Sequence, residues 1–204
     1  MLRVGGALIG MSAAGLRVGT ARSHEAAAGQ ITGQAGPLNV HPATHRAAHG
    51  TQDVTTPRHI ALLNLHTDEH LEIEYFRDGV YLPEALSAIE VSLRDFRNGE
   101  RHAVDPHLMD YLVEVARFLG VDPAFSVISG YRSPQTNASL REHSSGVAQH
   151  SLHMEGRAID VRIKGIDCAS LAAHAVDMKR GGVGYYRASD FVHLDTGAFR
   201  TWKG

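Results

Sequence analysis

Three side chains in the later part of the chain, His153, Asp160 and His193, are of the types that hold a catalytic divalent ion. Two imidazoles and one carboxylate are a usual ligand set of catalytic zinc, with the fourth position left to water. They lie in SLHMEGRAIDV, Ser151–Val161, and in FVHLD, Phe191–Asp195. Zinc takes nitrogen and oxygen ligands at about 2.0–2.2 Å, so these separate segments must converge. Alternation suggests how. In RAIDVRI, Ile159, Val161 and Ile163 fall on one face of a strand and Asp160 on the other. In FVHLD, Val192 and Leu194 turn to the core while His193 looks out. Two adjacent strands would then carry Asp160 and His193 on one surface, and His153 would reach in from the preceding loop. A plain histidine–aspartate hydrogen bond is the competing reading in a chain with 14 histidines.

The pattern Ser151, His153, Gly156, Ala158, Asp160, with His193 as a late ligand, resembles the signature of the LAS metallopeptidases, the group of lysostaphin, D-Ala-D-Ala peptidases and Sonic hedgehog. SGYRS at Ser129–Ser133, then GGVGYY at Gly181–Tyr186 and Arg200-Thr201-Trp202, are similar to the YcbK-like, murein endopeptidase K branch of that group. The likeness runs from about Arg58 to Trp202. It implies a hedgehog/D-Ala-D-Ala peptidase-like α+β fold, a small antiparallel sheet with helices packed on one side and a zinc cleft on the other. It also implies one zinc per chain on His153, Asp160 and His193, and hydrolysis of peptide cross-links in peptidoglycan by metal-activated water.

Other site residues are implied by the same likeness. Arg132 matches the arginine that faces the substrate, and a guanidinium can grip a carboxylate, or a carbonyl gathering charge, with paired donors. For the general base the likeness points to Asp190, ahead of His193. Asp195, two positions beyond His193, would share its face on a strand and is the rival, as base or as the partner that orients an imidazole. Tyr131, Ser151 and His150 are expected along the substrate groove. The implied partner is the peptide stem of peptidoglycan, met by a monomer in the periplasm or elsewhere outside the cytoplasmic membrane. A catalytically inactive zinc-containing peptidoglycan-binding module, or a D,D-carboxypeptidase or dipeptidase of the same fold, are the alternatives.

The rest of the chain has to position these groups. Its net charge of −2 and pI of about 6.7 advertise no basic surface for nucleic acid. The single cysteine, Cys168, has no internal disulfide partner and sits in an apolar helical pattern, as a buried thiol would. Residues 1–28 read as a signal-peptide-like segment, with Arg3 ahead of the uncharged run Val4–Leu16, too short to span a bilayer. That run predicts export and no integral membrane domain. No twin-arginine pair precedes it, so a twin-arginine route would need a start further upstream. Residues 29–57, with His41, His45 and His49, read as a flexible linker, and residues 58–204 as the peptidase domain.

Within that domain HIALLNLHT and HLEIEYF predict a hairpin turning at Thr67-Asp68-Glu69. Pro83 opens a helix with Leu86, Ile89, Leu93 and Phe96 on one face, ending at Asn98-Gly99. Asp105-Pro106 starts a second helix that stops at Gly120. Phe125–Ser129 predicts a strand, Ser133-Pro134 a short helix through His143, and Asp167 a cap for a last helix. GGVGYY reads as a glycine-rich return.

Overall fold

The computed structural model describes residues 55–143 and 146–204. The signal-like segment, nearly all of the linker, and His41, His45 and His49 lie outside the described residues. Strands β1 (Arg58–Asn64) and β2 (His70–Arg77) form the expected hairpin, pairing Ile60 with Ile73 and Leu62 with Leu71. A two-residue β3, Val80–Tyr81, extends it. Helix α1 (Pro83–Ser92) begins at its proline but stops well short of Asn98-Gly99. The next few residues are engaged elsewhere. The Leu93 carbonyl accepts the Tyr131 N–H at 2.7 Å, and the Asp95 carboxylate accepts the Arg97 and Ser133 N–H groups at 3.1 and 2.9 Å. Backbone that could have continued the helix instead holds the SGYRS turn.

Helix α2 (Pro106–Leu119) is capped by Asp105, which accepts the His107 N–H, and ends on Gly120 in the left-handed region. Then come β4 (Ala124–Ser129), α3 (Pro134–His143), a 3-10 turn at Leu152–Glu155, and β5 (Ala158–Ile163). Helix α4 (Cys168–Met178), capped by Asp167, leads to β6 (Gly182–Tyr186), β7 (Phe191–Asp195) and β8 (Arg200–Lys203).

The architecture is α+β, but the sheet is neither small nor purely antiparallel. Its eight strands run β3-β2-β1-β4-β5-β7-β6-β8, and β1/β4 and β6/β8 pair in parallel. The crossover through α1 and α2 returns the chain beside β1 in the same sense. At the other edge β7 reverses β6, and β8 reverses again, so β8 can only lie parallel to β6. Ile159, Val161, Val192 and Leu194 pack with Leu108, Leu112 and Val115 of α2 and Leu171 and Ala175 of α4. Each of these Val, Leu and Ile side chains contributes about 1.5–3 kcal/mol when fully buried, which fixes which face of β5 and β7 turns inward. Asp160 and His193, one step out of phase, are left on the other face. Cys168 is buried in this core, and burial pushes its thiol up to about 11, away from reactivity. Among the described residues no helix is long and apolar enough to cross a membrane.

Candidate metal centre

His153 sits on the 3-10 turn, and its own N–H is met by the Ser151 hydroxyl, with the Met154 N–H met by the Ser151 carbonyl. Gly156 closes the turn at φ 64, and a Cβ there would strike the Ala103 carbonyl, so the glycine is required twice over. The His153 ring places Nδ1 2.7 Å from the Gly130 carbonyl oxygen. A carbonyl only accepts, so Nδ1 carries the proton and Nε2 offers a bare lone pair. Asp160 lies across from Ser129 on β4 and from His193 on β7. His193 places Nε2 3.0 Å from Asp195 Oδ2, which leaves Nδ1 facing Asp160 Oδ1 at 2.9 Å.

The three inward atoms form a tight triangle. His153 Nε2 is 3.1 Å from His193 Nδ1 and 3.3 Å from Asp160 Oδ1, and all three residues are buried. For ligands at about 2.0–2.1 Å from zinc, tetrahedral geometry separates them by about 3.3 Å. The spacing and the donor types therefore fit a divalent ion such as zinc, with an outer partner fixing each imidazole. Burial opposes a charge on His193, yet hydrogen bonds to Asp160 and Asp195 outweigh it and raise its pKa to about 9. His153 has no second carboxylate, and burial pushes it down. Asp160 is held far below the usual carboxylate range, because the two imidazoles outweigh the opposing effect of burial. The group thus keeps an anion at its centre and room for one cationic charge.

Arg132 flanks the triangle. Its N–H is held by the His153 carbonyl at 3.1 Å, and its guanidinium NH2 lies 3.8 Å from Asp160 Oδ2. NH1 makes a long 3.4 Å bond to Asn137 Oδ1, and Nε is buried with no hydrogen-bond partner. Burial draws its pKa down against the pull of Asp160, though a guanidinium stays charged at any ordinary pH.

The remaining sequence candidates are placed differently. Tyr131 is buried, donates to Glu100 Oε1 at 3.1 Å and stacks on His102. Ser151 is buried too and acts as the cap of the 3-10 turn, whereas His150 just before it is exposed. Asp190 sits at φ 51 ahead of β7, its side chain 69% exposed and its carboxylate 3.7 Å from Arg162 Nε. No hydrogen bond joins it to the triangle. Asp195 is the aspartate brought to His193, on the imidazole's outer side, and it also accepts the Gly182 and Gly197 N–H groups at 3.0 and 2.8 Å. Where the family likeness favours Asp190, the geometry brings in the strand neighbour. Sequence reasoning misses the Gly130 carbonyl and Asn137. Both act through contacts that no local pattern encodes, although Asn137 falls in the PQTNASL run after SGYRS.

Comparison with known proteins gives a consistent picture. The family described as "Peptidoglycan L,D-endopeptidase MepK" matches residues 52–202. The protein named "Peptidoglycan L,D-endopeptidase MepK" from Escherichia coli is 41% identical over 155 residues, covering 76% of this chain and 85% of that protein. The "Probable peptidoglycan L,D-endopeptidase MepK" of Haemophilus influenzae is 40% identical over 149 residues, 72% of this chain and 80% of its own length. No solved structure matches the chain.

Proposed function

The chain belongs to the peptidoglycan L,D-endopeptidase MepK family, and from that premise we propose that it is a metallopeptidase hydrolysing peptide cross-links of peptidoglycan. The L,D designation of the relatives extends the proposal to a bond joining an L- to a D-configured centre. One observation carries the reading. Three buried atoms of ligand type, His153 Nε2, His193 Nδ1 and Asp160 Oδ1, converge within 3.3 Å of one another, and a bound cation would take the place of the proton that Nδ1 shares with Asp160. They would hold one zinc per chain, on the sheet face opposite α2 and α4, in a hedgehog/D-Ala-D-Ala peptidase-like fold.

A zinc ion bound there supplies an acidified water and a Lewis acid for the scissile carbonyl. The protein's own side chains do the rest. The Gly130 carbonyl and the Asp195 carboxylate keep the two imidazoles in the tautomers that present lone pairs. Arg132, whose terminal NH2 lies 3.8 Å from Asp160 Oδ2 at the edge of the triangle, donates to the substrate carbonyl as negative charge gathers on its oxygen. Asp195 acts as the orienting partner of His193, and Asp190 stays outside the site as the partner of Arg162. Tyr131 and Ser151 shape the loops that carry Arg132 and His153, and His150 borders the groove.

Peptidoglycan places this work outside the cytoplasmic membrane, and we extend the proposal to export by residues 1–28, a linker at 29–57, and a peptidase domain at 58–204. The test is a digest of cross-linked muropeptides by the full chain, with zinc, with a chelator, and with Asp160→Ala, read by mass spectrometry. Cleavage that survives the chelator or the substitution would overturn the metal mechanism. A second reading, a zinc-holding module that binds peptidoglycan without cutting it, draws on Asp190 and Asp195, neither of which faces the inner side of the triangle. Product formation in the same digest separates the two.

A further inference from the structure

The triangle is held on its His193 side by an arrangement that spans three strands. β6 lies between β7 and β8, with Gly184 beside both His193 and Trp202, and Gly182 beside Arg200. β7 and β8 are thus two strand spacings apart, about 9.5 Å. Side chains from β8 nevertheless reach β7. Arg200 places NH2 2.7 Å from Asp195 Oδ2 and NH1 3.1 Å from Oδ1, a two-pronged grip. The Trp202 ring lies 5.1 Å from the His193 ring, and its indole N–H is tied to the Tyr186 hydroxyl at 3.0 Å. The Arg200 guanidinium in turn lies over the Trp202 ring at 5.1 Å.

The glycines of β6 make this crossing physically open. A Cβ on Gly182 would fall on the Asp195 carboxylate and the Arg200 guanidinium, and one on Gly184 would meet the Trp202 ring at 2.5 Å. Neither glycine has a left-handed backbone, so their use here is clearance rather than conformation. Asp195 itself is fully buried, with its two oxygens shared among His193, Arg200, Gly182 and Gly197. A carboxylate so fully engaged has one orientation available, and it passes that orientation to the imidazole.

We infer that Arg200 and Trp202 are positioning residues for His193, acting through Asp195 and across a lane of glycines in β6. The inference rests on the reading of His153, Asp160 and His193 as metal ligands. Arg200 fixes the direction of the Asp195 carboxylate, and Trp202 packs at a tilt against the ring, so that Nδ1 is aimed at the triangle before any ion arrives.

The test is zinc titration of the full chain by calorimetry, with the visible absorption of the cobalt-substituted protein as a second readout. Arg200→Ala should bind zinc more weakly, by up to about tenfold, the lower end of what losing a direct partner of a metal ligand costs, because Arg200 acts one contact further out, through Asp195. Its cobalt spectrum should shift, because the imidazole is no longer held at one angle. Arg200→Lys should recover part of the loss, since an ammonium restores the charge without the fork. Gly184→Ala, which alters no charge, should weaken binding in the same sense by displacing Trp202. A purely structural Arg200 would lower the melting temperature of the metal-free protein and leave zinc affinity and the cobalt spectrum alone, which overturns the inference. Wild type that takes up no zinc defeats the metal reading and this one with it. Wild type and Arg200→Ala binding equally well defeat this one alone.

Discussion

Two buried carboxylates in this molecule stand in opposite circumstances. Asp110, on α2, is surrounded by donors: Arg58 NH1 at 2.5 Å, the Tyr75 hydroxyl at 3.0 Å and the Tyr81 hydroxyl at 2.5 Å. Burial and the neighbouring Asp110 raise both phenols, Tyr81 to about 12, so both remain protonated and able to donate. The cluster is closed, and it ties the β1–β3 hairpin to α2. Asp160 is surrounded instead by groups that can offer lone pairs, with the proton of His153 committed to the Gly130 carbonyl and Nε2 of His193 committed to Asp195. A polar cluster whose donors match its acceptors is a structural joint. One whose acceptors converge with too few protons between them is a place for a cation.

That contrast is most directly broken at the two aspartates. Asp160→Ala, or a chelator on the wild type, should lower cross-link hydrolysis by at least about a thousandfold, since the catalytic constellation works as a unit. Zinc uptake measured on the same variant should fall with it. Asp110→Ala leaves the Arg58 guanidinium buried without its counter-charge and should cost about 3–5 kcal/mol in urea unfolding. Turnover per folded molecule should stay at the wild-type value. If Asp160→Ala kept its zinc and lost as much stability as Asp110→Ala, the two clusters would be of one kind.

Arg132 sharpens the comparison from the side of the donors. Unlike Arg58, it has an idle Nε, a long bond to Asn137 and only a 3.8 Å approach to Asp160. A guanidinium so loosely engaged adds little to folding. Arg132→Ala should therefore reduce kcat about a hundred- to a thousandfold, as removal of a transition-state donor does, with a melting temperature close to wild type. A large drop in melting temperature together with a small one in kcat would make Arg132 another Arg58.

The difference between the two regions is partly legible in the sequence. Strict alternation in RAIDVRI and FVHLD puts Asp160 and His193 on one face, and the pairing of β5 with β7 places them opposite each other. The same alternation favours Asp195 over Asp190 as a neighbour of His193, because Asp190 precedes the strand. Other features have no local signal. β8 is four residues with no apolar period, and its partner β6 reads only as a glycine-rich return. The parallel pairings depend on which edge a strand meets, which its own sequence does not encode. Leu93 and Phe96 continue the apolar face of α1 and predict a longer helix, but the Leu93 carbonyl and the Asp95 side chain are taken up by the turn that carries Arg132.

Asp95 is a further buried carboxylate, and it tests the weakest part of the contrast, whether the Arg132 loop is held independently of the candidate metal site. It is 1% exposed and bound by the Ser133 and Arg97 N–H groups. Burial alone would raise its pKa, but hydrogen bonds from Thr136, Ser133 and Arg97 outweigh that and lower it. The unfolded chain titrates near the ordinary value of about 3.9, above the folded value. The stability Asp95 contributes is therefore complete above about pH 4 and is lost as pH falls through the folded pKa. Asp95→Asn should lower stability at neutral pH by on the order of 2 kcal/mol, the scale of hydrogen bonds to a charged group. Its urea midpoint should fall less steeply below about pH 4 than that of the wild type. Zinc affinity at neutral pH should hold, because Asp95 touches the loop of Arg132 and none of the three ligands. Parallel acid limbs for the two proteins would show that Asp95 adds nothing to acid stability, and a loss of zinc affinity would show that the loop and the ligand triangle are one unit.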